Sequence, residues 1–384
     1  MGPLAGTTII EIAGIGPGPF AAMLLADMGA DVIRVERPGG TMFSASQNVK
    51  LDFLNRNKRC ISINLKNPDG VATVLALLEK ADALLEGNRP GVMERLGLGP
   101  DECLAANPAL VYGRMTGWGQ EGPMAQEAGH DLNYIALSGA LHGIGRRGEK
   151  PAIPLNLVGD FGGGGLYLAF GMVCALLEAK HSGKGQVVDA AMIDGSAILM
   201  ASTFAAQQAG FWSEERGTNL LDSGSHFYEV YETRDGKYIS LGSIEPQFYA
   251  ALLDKLGDDA KHFKNQFDME NWPAMKGRMA DIIKSKTRDE WDEIMAGADV
   301  CYAPVLAMSE ARHHPHHQAR GSFLDDGEVW QPAPGPRFSR TPGEVRCHAA
   351  QIGEHSEDIL RQFGFSDEDI AAKLDSGAVV ALDN

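Results

Sequence analysis

Cysteine is scarce in this sequence, and long apolar runs and targeting signals are missing. The five cysteines are scattered, odd in number and never arranged as Cys-x-x-Cys, which argues against a disulfide framework or a zinc site of the usual spacing. The longest apolar run, over residues 166–177, is too short to span a bilayer. The N-terminal residues lack the charged and apolar regions of a secretory signal. These absences predict a cytoplasmic protein with reduced thiols and no membrane partner.

Positive charge is also in short supply. Lysine and arginine number 34 against 51 aspartates and glutamates, giving a formal net charge of −17. Nucleic acid is therefore not expected as a partner, because neutralising phosphates needs a basic face. Basic residues nevertheless gather in one stretch: Arg34, Arg37, Lys50, Arg56, Lys58, Arg59, Lys66, Lys80, Arg89 and Arg95. Several follow predicted strands, where open α/β sheets bind ligands, so together they favour an anionic ligand. Taken singly, each is typical of solvated surface charge.

The order of apolar segments predicts the fold class. A strand over residues 7–12, a helix reaching about residue 28 and a strand over 31–36 follow one another through short loops. A strand over 60–65 and a helix over 69–80 continue this order, which is typical of an α/β protein with a parallel, doubly wound sheet. A chain of 384 residues exceeds what one core usually serves, so two domains are expected.

The pattern changes near residue 215. Residues 227–241 are typical of a β-hairpin and open a smaller α+β region. The proline-containing stretch 315–342 indicates an extended return segment, and the last residues indicate two short helices.

A glycine-rich loop after the first strand resembles a dinucleotide-binding loop. Gly14, Gly16 and Gly18 lie between a strand and a helix, as in that fingerprint. Pro17 and Pro19 remove backbone N–H groups that should bind phosphate, and Pro19 suits the start of a helix instead. Nicotinamide-cofactor binding is therefore not expected.

Two segments carry candidate acid–base groups. Gly129-His130-Asp131 precedes an apolar segment, and a histidine at a helix start favours its neutral, basic form. Asp160 precedes four glycines, whose N–H groups could stabilise an oxyanion. A base, an oxyanion site and an acid are what proton removal beside a thioester carbonyl requires. From these residues alone, a helix cap and a turn are the more ordinary interpretations.

Longer motifs resemble the family III coenzyme A-transferases, and within them the α-methylacyl-CoA racemase branch. They are AGHDLNY (128–134), NLVGDFGG (156–163), SGKGQVVDAAMID (182–194), ADMGADVIRVERP (26–38), NRNKRCISINLK (55–66), GNRPGVMERLG (87–97), GRMTGWGQEGP (113–123) and RGTNLLDSG (216–224). They occur in order along essentially the whole chain.

The resemblance implies a Rossmann-like large domain with an inserted smaller α+β domain, in an interlocked homodimer. The large domain would cover residues 1–200 with 340–384 returning to it, and the small domain 225–310. Residues 201–224 and 311–339 would be linkers.

The resemblance also implies a cofactor-free, metal-free 1,1-proton transfer on 2-methylacyl-CoA thioesters in lipid and fatty acid metabolism. His130 and Asp160 would be the two bases, and Glu245 would orient His130. Coenzyme A contacts would fall on Arg37, Ile63, Asn64, Leu65, Lys66, Gly87, Asn88, Arg89, Arg95, Gly129, Leu132, Asn133 and Tyr134. Cys301 resembles a cysteine near the site in relatives, although a buried structural thiol is the expectation for it.

Three other functions stay open on the sequence. An acyl-CoA:carboxylate CoA-transferase of this fold would use Asp131 as its nucleophile. A non-catalytic acyl-CoA-binding protein would bind ligand without exchanging the α-hydrogen. A metal-dependent hydrolase is suggested by the histidines of residues 313–317, but Pro315 should break the helix that such ligands need.

Overall fold

The computed structural model describes residues 2–40, 48–263 and 265–382, and it divides into two compact units. The first unit comprises residues 1–138, 155–199 and 322–384, and the second comprises residues 139–154 and 200–321. Residues 139–154 thus belong to the second unit although they lie among first-unit segments in the sequence.

The strands, numbered along the chain, are β1 Thr8–Ile12, β2 Asp31–Glu36, β3 Lys58–Ile63, β4 Ala83–Glu86, β5 Val111–Thr116, β6 Gln186–Ala191, β7 Tyr228–Glu232, β8 Tyr238–Gly242, β9 Tyr302–Val305, β10 Phe323–Asp325, β11 Trp330–Pro332 and β12 Val379–Val380. The helices are α1 Pro17–Asp27, α2 Pro68–Leu78, α3 Val92–Arg95, α4 Pro100–Ala106, α5 Asp131–Leu137, α6 Ala140–Gly143, α7 Leu166–Ser182, α8 Met192–Leu199, α9 Ala201–Gln208, α10 Pro246–Leu256, α11 Trp272–Ile283, α12 Arg288–Met295, α13 Met308–Ala311, α14 Pro315–Arg320, α15 Ser356–Gln362 and α16 Asp367–Asp375. A π-helical segment, Leu157–Gly165, leads directly into α7.

The first unit is built on a seven-stranded sheet, which confirms the predicted α/β class. Its strand order is β12-β3-β2-β1-β4-β5-β6, and β12 alone runs antiparallel to its neighbour. Strands β1, β2, β4 and β5 are almost entirely buried, which explains why they lack the alternation of half-exposed strands. In a parallel sheet the carboxyl ends of these strands share one edge, and ligands usually bind there.

Helix α7 packs against β5 and β6, and one glycine allows the close approach. A Cβ atom at Gly113 would lie 2.3 Å from the sulfur of Met172. Together with the π-helical segment, α7 forms a continuous stretch of 26 residues that is long and apolar enough to cross a membrane. The sequence-based statement that no segment reaches this length is therefore wrong. Its apolar character follows in part from packing, because Leu168 and Met172 are buried against the sheet.

Two segments predicted as a linker and an extended return segment contain helices. Helix α9 lies within the predicted linker 201–224, and α14 lies within the predicted return segment. Pro315 occupies the first position of α14, and the side chain of His314 caps that helix. Proline is favourable there because the first N–H group of a helix has no partner within it. Because α13 ends at Ala311 and α14 begins at Pro315, the prediction that Pro315 interrupts a helix through residues 313–317 is confirmed, whereas α14 itself was not predicted.

The second unit holds a three-stranded antiparallel sheet, β7-β8-β9, packed on α10, α11 and α12. The predicted hairpin is confirmed as β7 and β8. His226 precedes this hairpin and is fully buried, with its Nε2 atom 2.7 Å from the Tyr249 hydroxyl and its ring stacked on Phe263. Burial lowers the pKa of His226 from 6.5 to about 4.

We expect the second unit to lose stability as the pH falls from about 6.5 to about 4. In that window the unfolded chain protonates His226 and the folded chain does not, so the full stabilisation is present only above pH 6.5. The expected loss is about 3 kcal/mol in the free energy of unfolding. Urea titrations followed by tryptophan fluorescence would measure it. A His226→Gln variant should have a flatter pH dependence, and an unchanged slope in the variant would contradict the assignment.

Candidate active site

A cavity of about 620 Å³ opens in the first unit at the carboxyl edge of the sheet. The loops after β1, β4 and β5 line it, together with the start of α5 and one residue of the π-helical segment. The predicted site residues that it brings together are Gly87, Asn88, Arg89, Gly129, His130, Asn133, Tyr134 and Asp160. Both predicted bases therefore face the same cavity.

His130 is held at the start of α5 by its backbone. Its N–H group donates to the Asn133 side chain at 3.0 Å, and its carbonyl accepts from the Asn133 N–H at 2.7 Å. The hydroxyl of Tyr134 donates to the carbonyl of Gly129, just before the histidine. Tyr134 is itself buried and packs edge-on against Trp118, with ring centroids 4.7 Å apart. The imidazole of His130 is thus exposed to the cavity on a fixed backbone.

Asp160 approaches the cavity from the π-helical segment. Its Oδ2 atom accepts a hydrogen bond from the Asn156 side chain at 3.1 Å. A Cβ atom at Gly16, where φ is +67°, would lie 3.3 Å from the same oxygen. Burial is the main cause that raises the pKa of Asp160, and the negative charge of Asp131 adds to it, while Asn156 and His130 act in the opposite sense. Its neutral form is therefore more accessible than that of an ordinary aspartate.

The side chain of Asp131 lies in a different environment from those of the two predicted bases, His130 and Asp160. Its side chain is buried, with 5% exposed, and it does not line the cavity. Its Oδ2 atom accepts a hydrogen bond of 2.7 Å from the backbone N–H of Asp160. The carboxylate predicted as a possible nucleophile thus points at the protein backbone.

The glycine run after Asp160 serves packing, contrary to the expectation that its N–H groups face a ligand. A Cβ atom at Gly163 would lie 2.6 Å from the backbone nitrogen of Ser196, and one at Gly165 would lie 2.6 Å from the carbonyl of Pro17. Neither glycine lines the cavity. These positions let α8 and α1 approach the π-helical segment, so an oxyanion site has to be sought elsewhere.

Five basic residues of the 34–95 stretch form ion pairs with acids of the first unit, so their presence does not require an anionic ligand. The pairs are Arg34–Glu36, Lys50–Glu328, Arg56–Asp27 at 2.6 Å, Lys58–Glu11 at 2.7 Å and Arg59–Asp31 at 2.5 Å. Within the described ranges, Arg37, Lys66, Arg89 and Arg95 are exposed and have no acidic partner within 4 Å. These four are the cations that the family resemblance assigns to coenzyme A.

Several predicted ligand contacts lie outside the cavity wall. Arg37 and Asn64 to Lys66 follow β2 and β3 at the same sheet edge, while Arg95 ends α3 and Leu132 lies in the first turn of α5. Ile63 is fully buried in the core of the first unit, so its side chain cannot contact a ligand. Glu245 lies in the second unit, exposed, directly before α10.

The loop after β1 forms part of the cavity wall, although its departure from the dinucleotide fingerprint gave no reason to expect a ligand there. Gly14 to Pro19 line the cavity, and so do Trp118 after β5 and Met192 at the start of α8. The rule that ligands bind at the carboxyl ends of parallel strands would have identified the loops after β1 and β5.

The second unit has a separate, larger cavity of about 810 Å³ that Cys301 lines. The thiol is exposed, and the backbone of Cys301 has a φ of +49°, so the expectation of a buried thiol was wrong. All five cysteines are free. Among the described residues no group of three or more His, Cys, Asp or Glu side chains could hold a metal ion, and this includes the histidines of 313–317.

Comparisons with known proteins identify the family of this chain. The model of CoA-transferase family III matches residues 4–356. The chain is 46% identical to the α-methylacyl-CoA racemase of Mus musculus over 99% of this chain and 98% of the relative, and 45% identical to that of Homo sapiens over 96% and 95%. A crystal structure of a CaiB/BaiF family protein from Brucella suis superposes with a TM-score of 0.81 and 25% identity, covering 94% of this chain and 99% of that one. The chain therefore belongs to CoA-transferase family III.

Proposed function

We propose that this protein is a racemase that interconverts the (2R)- and (2S)-epimers of 2-methylacyl-CoA thioesters. The observation that carries the proposal is that His130 and Asp160 line one cavity while Asp131 does not. The 46% identity to a relative named α-methylacyl-CoA racemase supports the same reaction. Because the reaction only moves protons, it is an isomerisation that needs no redox cofactor.

The proposed reaction is a 1,1-proton transfer through an enolate. One base removes the α-proton, and the electron pair of the C–H bond moves into the thioester to give a planar enolate. The other residue then delivers a proton to the opposite face. One enantiomer is deprotonated by His130 and reprotonated by Asp160, and the other uses the pair in reverse. The raised pKa of Asp160 supports the acid role, since a group that delivers a proton must first hold it.

Backbone N–H groups of the cavity wall are proposed to hold the enolate oxygen. The role of Glu245 as the residue that orients His130 stays a prediction.

CoA transfer to a carboxylic acid is the second candidate, because the family is named for it. A transferase would need the Asp131 carboxylate to attack the thioester carbonyl. That carboxylate is buried and accepts a hydrogen bond from the backbone N–H of Asp160, so it is poorly placed for the attack. The deciding assay incubates one epimer of a 2-methylacyl-CoA with and without an added carboxylic acid. Loss of stereochemical purity without acceptor supports racemisation. CoA moving to the acid with purity retained would refute it.

Arg89 is proposed to bind a phosphate of coenzyme A, because among the described residues it is the one lysine or arginine that lines the cavity. We expect Arg89→Ala to raise KM about tenfold with little change in kcat, since it removes a charge-assisted hydrogen bond made equally in the ground and transition states. Steady-state kinetics would measure this. Arg278→Ala, which removes an exposed arginine of α11, is the matched control. A fall in kcat with KM unchanged would contradict the assignment.

We also propose a homodimer, supported by an apolar stripe on α7. Leu166, Phe170 and Leu177 lie on one face of the helix and are each more than half exposed. A Phe170→Asp variant should weaken self-association about 100-fold by placing a charge in the interface. Analytical ultracentrifugation would measure this, with Glu178→Lys, an exposed position on another face of the same helix, as control. A monomeric wild-type protein would contradict the proposal.

Cytoplasmic location and a role in lipid metabolism stay predictions.

A further inference from the structure

The carboxylate of Asp131 is a buried negative charge that the two-base reaction does not use. One oxygen accepts the N–H of Asp160 at 2.7 Å. The other, Oδ1, is buried and has no hydrogen-bond partner among the described residues. Leaving a carboxylate oxygen unpaired in the interior costs free energy, so its retention in this place calls for an explanation.

The chain is shaped to bring this carboxylate against the Asp160 backbone. A Cβ atom at Gly159 would lie 2.6 Å from Oδ2 and 2.8 Å from Cγ of Asp131. Only glycine therefore permits the contact. Asp131 is also joined directly to His130 by its peptide bond. One residue thus fixes the backbone of both bases, covalently on one side and by a hydrogen bond on the other.

Few other charges act on Asp160. The charged groups that influence it are Asp131 and His130, and the Asn156 amide is its hydrogen-bond donor. Tyr134 of α5 stays neutral, because burial and the charge of Asp160 raise its pKa. The titratable groups on the other elements packed against the π-helical segment are the following: Asp194 on α8, Asp27 on α1 in its pair with Arg56, Tyr112 on β5, Arg114 on β5 in its pairs with Glu86 and Glu94, Asp189 on β6, and Tyr167, Cys174, Glu178, Lys180 and His181 on α7.

We propose that Asp131 is a positioning residue for the two bases, which holds the Asp160 backbone in place and sets a fixed negative charge beside its side chain. The proposal rests on the proposed racemase function and gives a new role to the position where transferases of this fold have their nucleophile. A nearby negative charge disfavours ionisation of Asp160. Asp160 can then hold the proton that it delivers to the enolate.

Two substitutions separate the hydrogen bond from the charge. Asp131→Asn keeps an oxygen that can accept the Asp160 N–H but removes the charge, while Asp131→Ala removes both. The test compares kcat/KM for each epimer across the pH range. For Asp131→Asn we expect the limb that Asp160 sets to move to lower pH, with the plateau kept within about tenfold. This is the acid limb for the epimer that Asp160 deprotonates and the alkaline limb for the epimer to which Asp160 delivers the proton. Asp131→Ala should lose about 100-fold at the plateau. Asp194→Asn, which removes an exposed charge from α8, should leave the profile unchanged.

Two results would overturn the proposal. An Asp131→Asn profile identical to wild type would reduce Asp131 to a purely structural role. Complete loss of racemisation in Asp131→Asn at every pH, with the circular dichroism spectrum intact, would indicate direct participation in the chemistry. If wild-type protein itself does not racemise, the proposed function fails instead, so the two failures are distinguishable.

A second measurement covers the case in which the variants do not fold. Wild-type protein with ¹³C-labelled aspartate carboxyls can be titrated by NMR, with Asp160→Asn used to assign the Asp160 signal. We expect that signal to titrate above the range of the exposed aspartates. Titration within or below that range would overturn the proposal.

Discussion

Replacing either His130 by alanine or Asp160 by asparagine is expected to slow racemisation about 1,000-fold in both directions, the usual contribution of a positioned acid or base. Both side chains line the same cavity, and no other described side chain that lines it is a histidine or an aspartate. KM should change little, because neither residue is proposed to bind the coenzyme A portion. Chiral chromatography of the hydrolysed product would measure the rate in each direction.

Matched variants control for the loss of a histidine or an acid. His181→Ala removes an exposed histidine from the end of α7, and Asp194→Asn removes an exposed carboxylate from α8. Both should retain wild-type rates. If His130→Ala kept more than about a tenth of the activity, the assignment of His130 as a base would be wrong.

Replacing Lys58 by methionine is expected to lower the free energy of unfolding by about 3–5 kcal/mol, because it leaves a buried charge without its partner. The Lys58 and Glu11 side chains are at most 1% exposed, and the ammonium lies 2.7 Å from the carboxylate. The ammonium also donates to the Pro19 carbonyl and the Asn55 side chain, each at 3.1 Å. Burial lowers the pKa of Lys58, and the charge of the neighbouring Glu11 opposes this shift.

Chemical denaturation of the single and double variants would measure this effect. Glu11→Leu combined with Lys58→Met removes both charges and should recover most of the lost stability. Since Pro19 lines the cavity, the single variant should also raise KM. A Lys58→Met variant within about 1 kcal/mol of wild type would contradict the account of this pair.

The order of strands and helices in the first unit could be predicted because local pattern determines it. Buried parallel strands are short apolar runs, and their connecting helices have proline or asparagine at the start. Pro17 and Pro68 occupy such positions in α1 and α2. Helix α14 was missed because Pro315 was interpreted as a breaker, although the same residue type favours a helix start.

Contacts between distant residues could not be predicted in this way. Arg56 and Lys58 belong to a basic stretch that indicated an anionic ligand, yet their partners Asp27 and Glu11 lie 29 and 47 positions away. The glycines after Asp160 were expected to face a ligand, and they instead allow helices to approach. Composition shows which residue types are present, and only the fold shows which of them are already paired.

Hydrogen exchange in variants that lack one base tests the roles of His130 and Asp160 most directly. Each base faces one side of the α-carbon, so a variant that lacks one base should still exchange the α-hydrogen of one epimer with deuterium from D₂O, without inversion. The His130→Ala variant should exchange the α-hydrogen only of the epimer that Asp160 deprotonates. The Asp160→Asn variant should exchange the α-hydrogen only of the other epimer, while the wild-type protein exchanges the α-hydrogen of both epimers and inverts both. If both variants exchanged the same epimer, or if either still inverted its substrate at the wild-type rate, the assignment of His130 and Asp160 to opposite faces would be contradicted.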